Sequence, residues 1–194
     1  MSSPRASRIL LIRHAEKPPT DPPPHGVTKR GDHDIQSLTV KGWQRAGALV
    51  CFFAPMHGPL QSPLLSTPDV IFASPPGSSG SEESQSHRPV ETVTPLAGKL
   101  GLTLNTDFTK GQEAQVADAA MAQSGVALIC WQHKDLNVIA NRILGNATTA
   151  PQKWPGGRYD VVWVFDLQAD GRYAFAQLPQ MLLKGDDPDP IPVG

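Results

Sequence analysis

Short apolar runs alternate with longer amphipathic stretches along this chain, and this alternation limits the folds open to it more than any other feature. The apolar runs have the character of buried strands and fall at residues 8–13, 69–73 and 126–131. The stretches with apolar positions three and four residues apart predict helices at residues 39–53, 89–100, 113–123 and 135–144. Helices between strands give connections long enough for parallel pairing, so we expect an α/β fold.

The C-terminal part of the chain carries a different pattern. Residues 160–167 and 172–178 flank Asp170-Gly171, a strong hairpin signal. We therefore expect a three-layer sandwich with a mostly parallel central sheet and an antiparallel edge hairpin, in one domain over residues 1–194. Residues 102–104 are a candidate short strand. The segment 184–194 is rich in Asp and Pro and is predicted to be a mobile tail.

Composition excludes several classes of function. The 194 residues include 17 basic and 18 acidic side chains, a net charge of −1, which argues against a globally basic nucleic-acid binder. No apolar run approaches the roughly 20 residues that span a bilayer, so we expect no membrane span. The first residues lack the apolar stretch of a secretory signal, and we expect a cytoplasmic protein of unknown oligomeric state.

Polar residues follow the predicted strands where a buried strand does not need them. Arg13-His14 ends the first strand and Gln132-His133 follows the strand at 126–131. Arg88 opens the helix that comes after the strand at 69–73. The carboxyl ends of parallel strands share one edge of a sheet, so two histidines and two arginines should converge there.

This combination of side chains suits phosphoryl transfer. Arginine forks bind phosphate oxygens bidentately, and a helix N-terminus beside Arg88 would add backbone donors. A neutral imidazole can attack phosphorus when its other nitrogen donates to a fixed carbonyl, and nearby arginines keep that imidazole unprotonated. A second, protonated histidine would stabilise charge in the transition state, and a carboxylic acid would protonate the leaving group.

Four segments in order resemble the histidine phosphatase superfamily, in its phosphoglycerate-mutase-like branch. Leu11-Ile12-Arg13-His14-Ala15-Glu16 is similar to the R-H-G/A signature of that family. The other matching segments are Leu38-Thr39 with Gly42 and Arg45-Ala46, Val70-Ile71-Phe72-Ala73-Ser74 followed by Arg88-Pro89-Val90-Glu91-Thr92, and Gln132-His133 where the family has G-H. The resemblance spans residues 8–144.

The resemblance implies roles for individual residues. His14 would be the phosphorylated nucleophile, and Arg13, Arg88 and His133 would bind the phosphate. For the general acid, Glu113 is the first candidate and Asp107 the second. Two further carboxylates are candidates for the acid. Asp135 lies two residues after His133, and Glu16 lies close to His14 in sequence but is also interpreted as a salt-bridge partner of Lys17. Lys17 is itself a candidate contact for a substrate phosphate.

The sequence departs from the family pattern at Gln132, which replaces a glycine, and at residues 76–85, which lengthen a loop expected to act as a substrate-facing flap. The chain has no histidine or cysteine spacing typical of zinc, and we expect neither metal nor cofactor.

The sequence thus predicts a metal-independent phosphatase that hydrolyses a phosphate monoester through a phosphohistidine on His14. Hydrolysis is preferred to mutase action because the chain is short and lacks insertions like those of the glycolytic mutases. Its partner would be a small phosphorylated substrate or a phosphoprotein. The alternatives are a phosphohistidine-protein phosphatase, whose nitrogen leaving group needs less acid help, and a non-catalytic phosphate-binding module.

Overall fold

The fold is taken from a computed structural model that describes residues 5–77 and 85–193. The described chain forms five strands and four helices. In chain order these are β1 (Arg8–Arg13), α1 (Val40–Phe53), β2 (Val70–Ala73), α2 (Arg88–Leu100), α3 (Glu113–Met121), β3 (Val126–Trp131), α4 (Leu136–Leu144), β4 (Val161–Leu167) and β5 (Tyr173–Pro179).

The strands form one sheet in the order β2-β3-β1-β4-β5. β3 pairs in parallel with both β1 and β2, whereas β4 pairs antiparallel with β1 and with β5. Arg13 lies opposite Trp131 and Ala73 lies opposite Cys130, so the three parallel strands end at the same edge. The predicted fold class is confirmed: a parallel core carries an antiparallel hairpin at one side.

Helices cover both faces of the sheet. Alternate residues of β1 point to opposite faces, because side chains in a strand have a period of two. Ile9 and Leu11 pack in a core with α3 and α4, and Leu10 and Ile12 pack in a second core with α1 and α2. All four side chains are fully buried, and each contributes roughly 1.5–3 kcal/mol through removal from water.

The N-terminus of α1 is fastened to the residues that follow β1. Thr39 caps this helix by accepting a hydrogen bond from the Gly42 N–H at 3.1 Å, and its own N–H donates to the Glu16 carbonyl at 2.9 Å. Gly42 is required at this contact, since a Cβ there would lie 2.6 Å from the same carbonyl oxygen. The segment after His14 is therefore fixed in position.

Two elements differ from the expectations. Residues 102–104 form no strand. The chain instead makes one isolated parallel bridge between Asn105 and Phe72. α3 also ends at Met121, two residues earlier than its periodicity predicts.

The C-terminal tail, expected to be mobile, is anchored along most of its length. The Asp186 carboxylate pairs with the buried Arg45 guanidinium at 2.7 Å, and the Asp187 carboxylate pairs with Arg158 at 3.0 Å. Ile191 is only 2% exposed and packs in the core beneath α3 and α4. Charge accounts for these contacts, because acidic residues that cannot continue a strand pair with the buried Arg45 of α1 and with the partly buried Arg158 before β4. Residue 194 lies outside the described residues.

Candidate active site

His14 follows β1 directly and is almost fully buried, at 3% exposed. Its backbone N–H donates to the Trp131 carbonyl at 3.0 Å, which continues the pairing of β1 with β3 by one residue. Its ring Nδ1 lies 2.7 Å from the Ala15 carbonyl oxygen. Because a carbonyl can only accept, we assign the ring proton to Nδ1, which leaves the lone pair on Nε2.

The surroundings of His14 keep its ring neutral. Burial lowers the pKa of His14 well below its ordinary value, and the positive charge of Arg13 lowers it further. Arg88 and His133 act in the same direction. The ring is therefore in the form that can act as a nucleophile across the neutral pH range.

A small cleft joins three of the predicted side chains. Its lining consists of His14, Lys17, Arg88, Gln132, His133 and Lys134. His14 enters from the end of β1, Arg88 from the first residue of α2, and His133 from the turn after β3. The predicted convergence at the carboxyl edge of the sheet thus places both histidines and one arginine around one cleft.

Arg13 lies just behind this cleft and is held by the segment before β4. Its Nη1 donates to the carbonyl oxygens of Gly156 and Arg158, each at 2.7 Å. The central carbon of its guanidinium lies 3.8 Å from the centre of the Tyr159 ring, a close cation–π contact. Burial lowers the pKa of Arg13 to about 10, so the group stays charged at neutral pH.

Two other nitrogens of Arg13 stand out. Nε and Nη2 are buried and have no hydrogen-bond acceptor within residues 5–77 and 85–193. Buried donors are almost always satisfied, and an unsatisfied one costs about 1–3 kcal/mol. An anion beside His14 would supply the missing acceptors.

Arg88 is fixed from two directions. Its Nη2 donates to the Ile35 carbonyl at 2.8 Å. Thr92, one turn along α2, donates its hydroxyl to the Arg88 carbonyl at 2.7 Å and accepts from the Ala15 N–H at 2.8 Å. This hydroxyl gives a physical reason for the threonine four residues after the arginine, since it joins the start of α2 to the segment of the nucleophile.

The candidate general acids lie outside the lining of this cleft. Glu113 is 8% exposed, and its Oε1 accepts from Trp131 Nε1 at 3.1 Å and from the Gly111 N–H at 2.9 Å. Trp131 is packed in the core with α3 and α4, so the Glu113 carboxylate is directed toward that core. Asp107 is exposed, and Asp135 precedes α4 as its N-cap residue.

Glu16 has a structural partner. Its carboxylate pairs with Arg45 at 2.8 Å and with Lys41 at 3.8 Å. Arg45 is 2% exposed and also pairs with Asp186. This buried arginine therefore connects the segment after His14 to the C-terminal tail.

The sequence did not single out Tyr159 or Lys134. Tyr159 lies next to Arg13 because β4, which follows Tyr159, pairs antiparallel with β1. The centre of the Tyr159 ring is 6.2 Å from the centre of the His14 ring. No short-range pattern could have indicated this contact. Lys134 could have been found from its position beside His133.

A larger groove of about 250 Å³ continues from the cleft and shares Lys17 and Arg88 with it. Prolines from the loop between β1 and α1 form part of its wall. The other loop expected near the substrate, 76–85, falls largely on residues 78–84, which lie outside the described residues.

The described residues form neither a cluster of metal ligands nor a membrane-spanning helix. Within residues 5–77 and 85–193, no three His, Cys, Asp or Glu side chains gather as metal ligands would. No helix formed by these residues is long and apolar enough to cross a bilayer.

Comparison with solved structures shows a fold that this chain shares with two proteins named as phosphatases. One similar structure is the protein histidine phosphatase SixA complexed with tungstate, at 11% identity over 89% of this chain and 97% of that chain, with a TM-score of 0.50. Another is a candidate alpha-ribazole-5'-P phosphatase from Escherichia coli, at 13% identity over 90% and 97% of the two chains, with a TM-score of 0.51. No protein-family model and no curated protein matches the sequence.

Proposed function

We propose that this protein is a metal-independent phosphatase that hydrolyses a phosphate monoester through a phosphohistidine on His14. The observation that carries the proposal is the hydrogen bond from His14 Nδ1 to the Ala15 carbonyl, made at the wall of a cleft that also contains Arg88 and His133. That bond directs the Nε2 lone pair to the position a nucleophile needs.

The reaction balances in two steps. In the first, Nε2 of His14 forms a bond to phosphorus as the ester P–O bond breaks, and the leaving oxygen takes up a proton from solvent. In the second, water attacks the phosphohistidine and returns one proton to solvent, the N–P bond breaks, and inorganic phosphate and neutral His14 are released. Hydrolysis is proposed in preference to mutase action, on a small phosphorylated molecule or a phosphoprotein.

The cationic side chains have distinct tasks in this scheme. Arg88 binds the phosphoryl oxygens from the cleft, and Arg13 supplies its Nε and Nη2 donors from behind it. His133 donates to the phosphoryl group when protonated. Groups held in place before substrate arrives stabilise the charge of the transition state without a reorganisation cost.

The proposal is tested by trapping the covalent intermediate. The protein is mixed with p-nitrophenyl phosphate, quenched in alkali to protect an N–P bond, digested and analysed by mass spectrometry. We expect an acid-labile phosphate on His14, and no label in His14→Asn. Turnover of the ester with no label on His14 would contradict the phosphohistidine mechanism. Phosphate binding without turnover would favour the non-catalytic module.

A phosphohistidine protein is a second candidate substrate, favoured by the position of Glu113. The carboxylate of this residue already accepts two hydrogen bonds, from Trp131 and from Gly111. A nitrogen leaving group requires less protonation than an alkoxide, so it tolerates a carboxylate engaged elsewhere. Glu113→Gln distinguishes the two substrates: a rate on phenyl phosphate that falls by about 100-fold assigns the acid role to Glu113 and favours the ester. An unchanged rate favours the N-phosphate.

A further inference from the structure

The carbonyl that holds Arg88 belongs to residues 34–38, called the Ile35 segment below. This segment lies along the first turn of α2. Arg88 Nη2 donates to the Ile35 carbonyl at 2.8 Å, and the His87 N–H donates to the Gln36 carbonyl at 3.2 Å. The position of the Arg88 guanidinium therefore depends on how firmly α2 holds the Ile35 segment.

Glu91 makes the side-chain contacts between the two elements one turn further along α2. Its Oε2 accepts from the Leu38 N–H at 2.9 Å, and its Oε1 lies 2.7 Å from Ser37 Oγ. The same Ser37 oxygen lies 2.8 Å from Asp34 Oδ2. Ser37 is 1% exposed, so water does not replace either contact.

The number of protons available to the Asp34–Ser37–Glu91 contacts indicates the protonation state of Glu91. The Ser37 hydroxyl has one proton and two carboxyl neighbours. If both carboxyls were ionised, one of the two short oxygen–oxygen contacts would contain no hydrogen. If Glu91 is the neutral acid, its O–H donates to Ser37 Oγ, the Ser37 O–H donates to Asp34, and every contact is a hydrogen bond.

The charges around Glu91 agree with this assignment. Burial raises the pKa of Glu91, and the nearby Asp34 carboxylate raises it further, against the hydrogen bonds from Ser37 and Leu38 and the charge of His87. The other charged group at this site is Lys29, which lines a neighbouring cavity of about 330 Å³ with Glu91. α1 contributes only the Trp43 indole to the same cavity.

We propose that Glu91 is a positioning residue for Arg88. Glu91 acts as a neutral acid that fastens the Ile35 segment to α2. The inference rests on the proposed function in one respect, that Arg88 binds the substrate phosphate. When Glu91 loses its proton, two carboxylates face one hydroxyl, the Ile35 segment loosens from α2, and the Ile35 carbonyl no longer holds Arg88 Nη2 in place. Oxyanion binding then weakens as pH rises.

The test measures binding of sulfate by calorimetry from about pH 5 to pH 8, a range in which this tetrahedral dianion keeps its charge. Sulfate binds without turnover, so a protein that forms no phosphohistidine can still confirm or overturn the role of Glu91. The variant is Glu91→Gln, whose amide can donate to Ser37 and accept from Leu38 at every pH. The matched control is Asp170→Asn, which removes one negative charge at the hairpin turn.

As pH rises, we expect the sulfate affinity of wild type and of Asp170→Asn to fall about tenfold further than the affinity of Glu91→Gln. A tenfold difference in affinity corresponds to about 1.4 kcal/mol. Parallel profiles for wild type and Glu91→Gln would overturn the proposal, as would weak binding by Glu91→Gln at low pH.

A second variant separates positioning from folding. Ser37→Ala removes the shared hydroxyl and leaves both carboxyls in place, and its thermal unfolding shows whether the fold persists. We expect weaker sulfate binding at low pH and a flatter pH profile, with a higher KM for p-nitrophenyl phosphate and a smaller change in kcat. A folded Ser37→Ala protein with the wild-type profile would show that the hydroxyl does not transmit the effect.

Discussion

The two arginines beside His14 are supported in different ways. Arg13 lies between two backbone carbonyls at 2.7 Å and the face of Tyr159, all from residues 156–159. Arg88 lines the cleft itself and donates to the backbone carbonyl of Ile35. Backbone carbonyls and an aromatic face do not titrate, whereas the Ile35 segment is attached through Glu91. Arg13 is thus held by backbone carbonyls and an aromatic face, whereas the support of Arg88 depends on a proton.

The supports differ because their own anchors differ. The segment that holds Arg13 is fastened through Arg158, whose guanidinium pairs with Asp160 at 2.8 Å and with Asp187 of the tail at 3.0 Å. These contacts are ion pairs. The Ile35 segment is instead attached through Glu91, which is neutral in the proposal above. The two arginines therefore have different kinds of support, ion pairs on one side and a neutral acid on the other.

Lysine substitution should give the largest contrast between the two arginines. A lysine has a compact ammonium and no planar fork, so Arg13→Lys cannot reach both carbonyls and an anion at once. We expect kcat/KM to fall by about 10²–10³-fold for Arg13→Lys, the magnitude of losing a preorganised donor. For Arg88→Lys, which keeps a cation in the lining of the cleft, we expect a fall of about tenfold.

Steady-state assays with p-nitrophenyl phosphate measure both effects, with circular dichroism to confirm folding. Equal losses for the two variants would remove the distinction between a fixed and an adjustable arginine. Because Arg13 is 1% exposed, thermal unfolding should also show a lower stability for Arg13→Lys than for Arg88→Lys.

A smaller effect should follow from changes to Tyr159, which tests whether the aromatic face matters beyond the carbonyls. A desolvated cation–π contact contributes up to about 2 kcal/mol. We expect Tyr159→Leu to weaken sulfate binding by about tenfold, while Tyr159→Phe, which keeps the ring, stays within about twofold of wild type. If Phe is as weak as Leu, the hydroxyl and not the ring supports Arg13.

The sequence predicted the placement of Arg88 and His14 better than it predicted the support of Arg13. Arg88 and His14 follow from strand ends and helix starts, because the parallel order of β2, β3 and β1 brings those ends to one edge. The support of Arg13 comes from residues more than 140 positions away, and only the antiparallel insertion of β4 beside β1 creates it. Such a contact has no local signal.

Glu113 illustrates a second limit of sequence reasoning. Its position in the chain, between Arg88 and His133, suggested a role at the cleft. The sequence does not determine which way the side chain at the start of α3 turns, and the structure directs this carboxylate to Trp131. The general periodicity of α3 was predicted, and its orientation was not.

The smallest expected effect is the contribution of Asp186, in the C-terminal tail, to stability at different pH values. Burial alone would raise the pKa of Asp186, but the hydrogen bonds and charge of Arg45, together with hydrogen bonds from the Leu182 and Leu183 N–H groups, outweigh it and hold that pKa below its ordinary value. The contribution of Asp186 to stability is therefore present above the pKa of the unfolded carboxyl and is lost as pH falls through the folded pKa. Asp186→Asn should lower the free energy of unfolding in urea by about 1 kcal/mol at pH 7, with Arg45 still paired to Glu16, and by less at pH 3.

Glu91→Gln gives the matched comparison for stability. The raised pKa of Glu91 gives a contribution that is complete at low pH and is lost as pH rises through the folded pKa, which is the reverse of Asp186. Relative to wild type, the Gln variant should therefore gain stability as pH rises through the folded pKa of Glu91. Asp186→Asn should instead lose stability relative to wild type as pH rises through the range in which the Asp186 carboxyl ionises, and the difference should then stay constant up to pH 7. If both variants shift in the same direction, Asp186 and Glu91 share one dependence on pH, and the assignment of an ionised Asp186 and a neutral Glu91 fails.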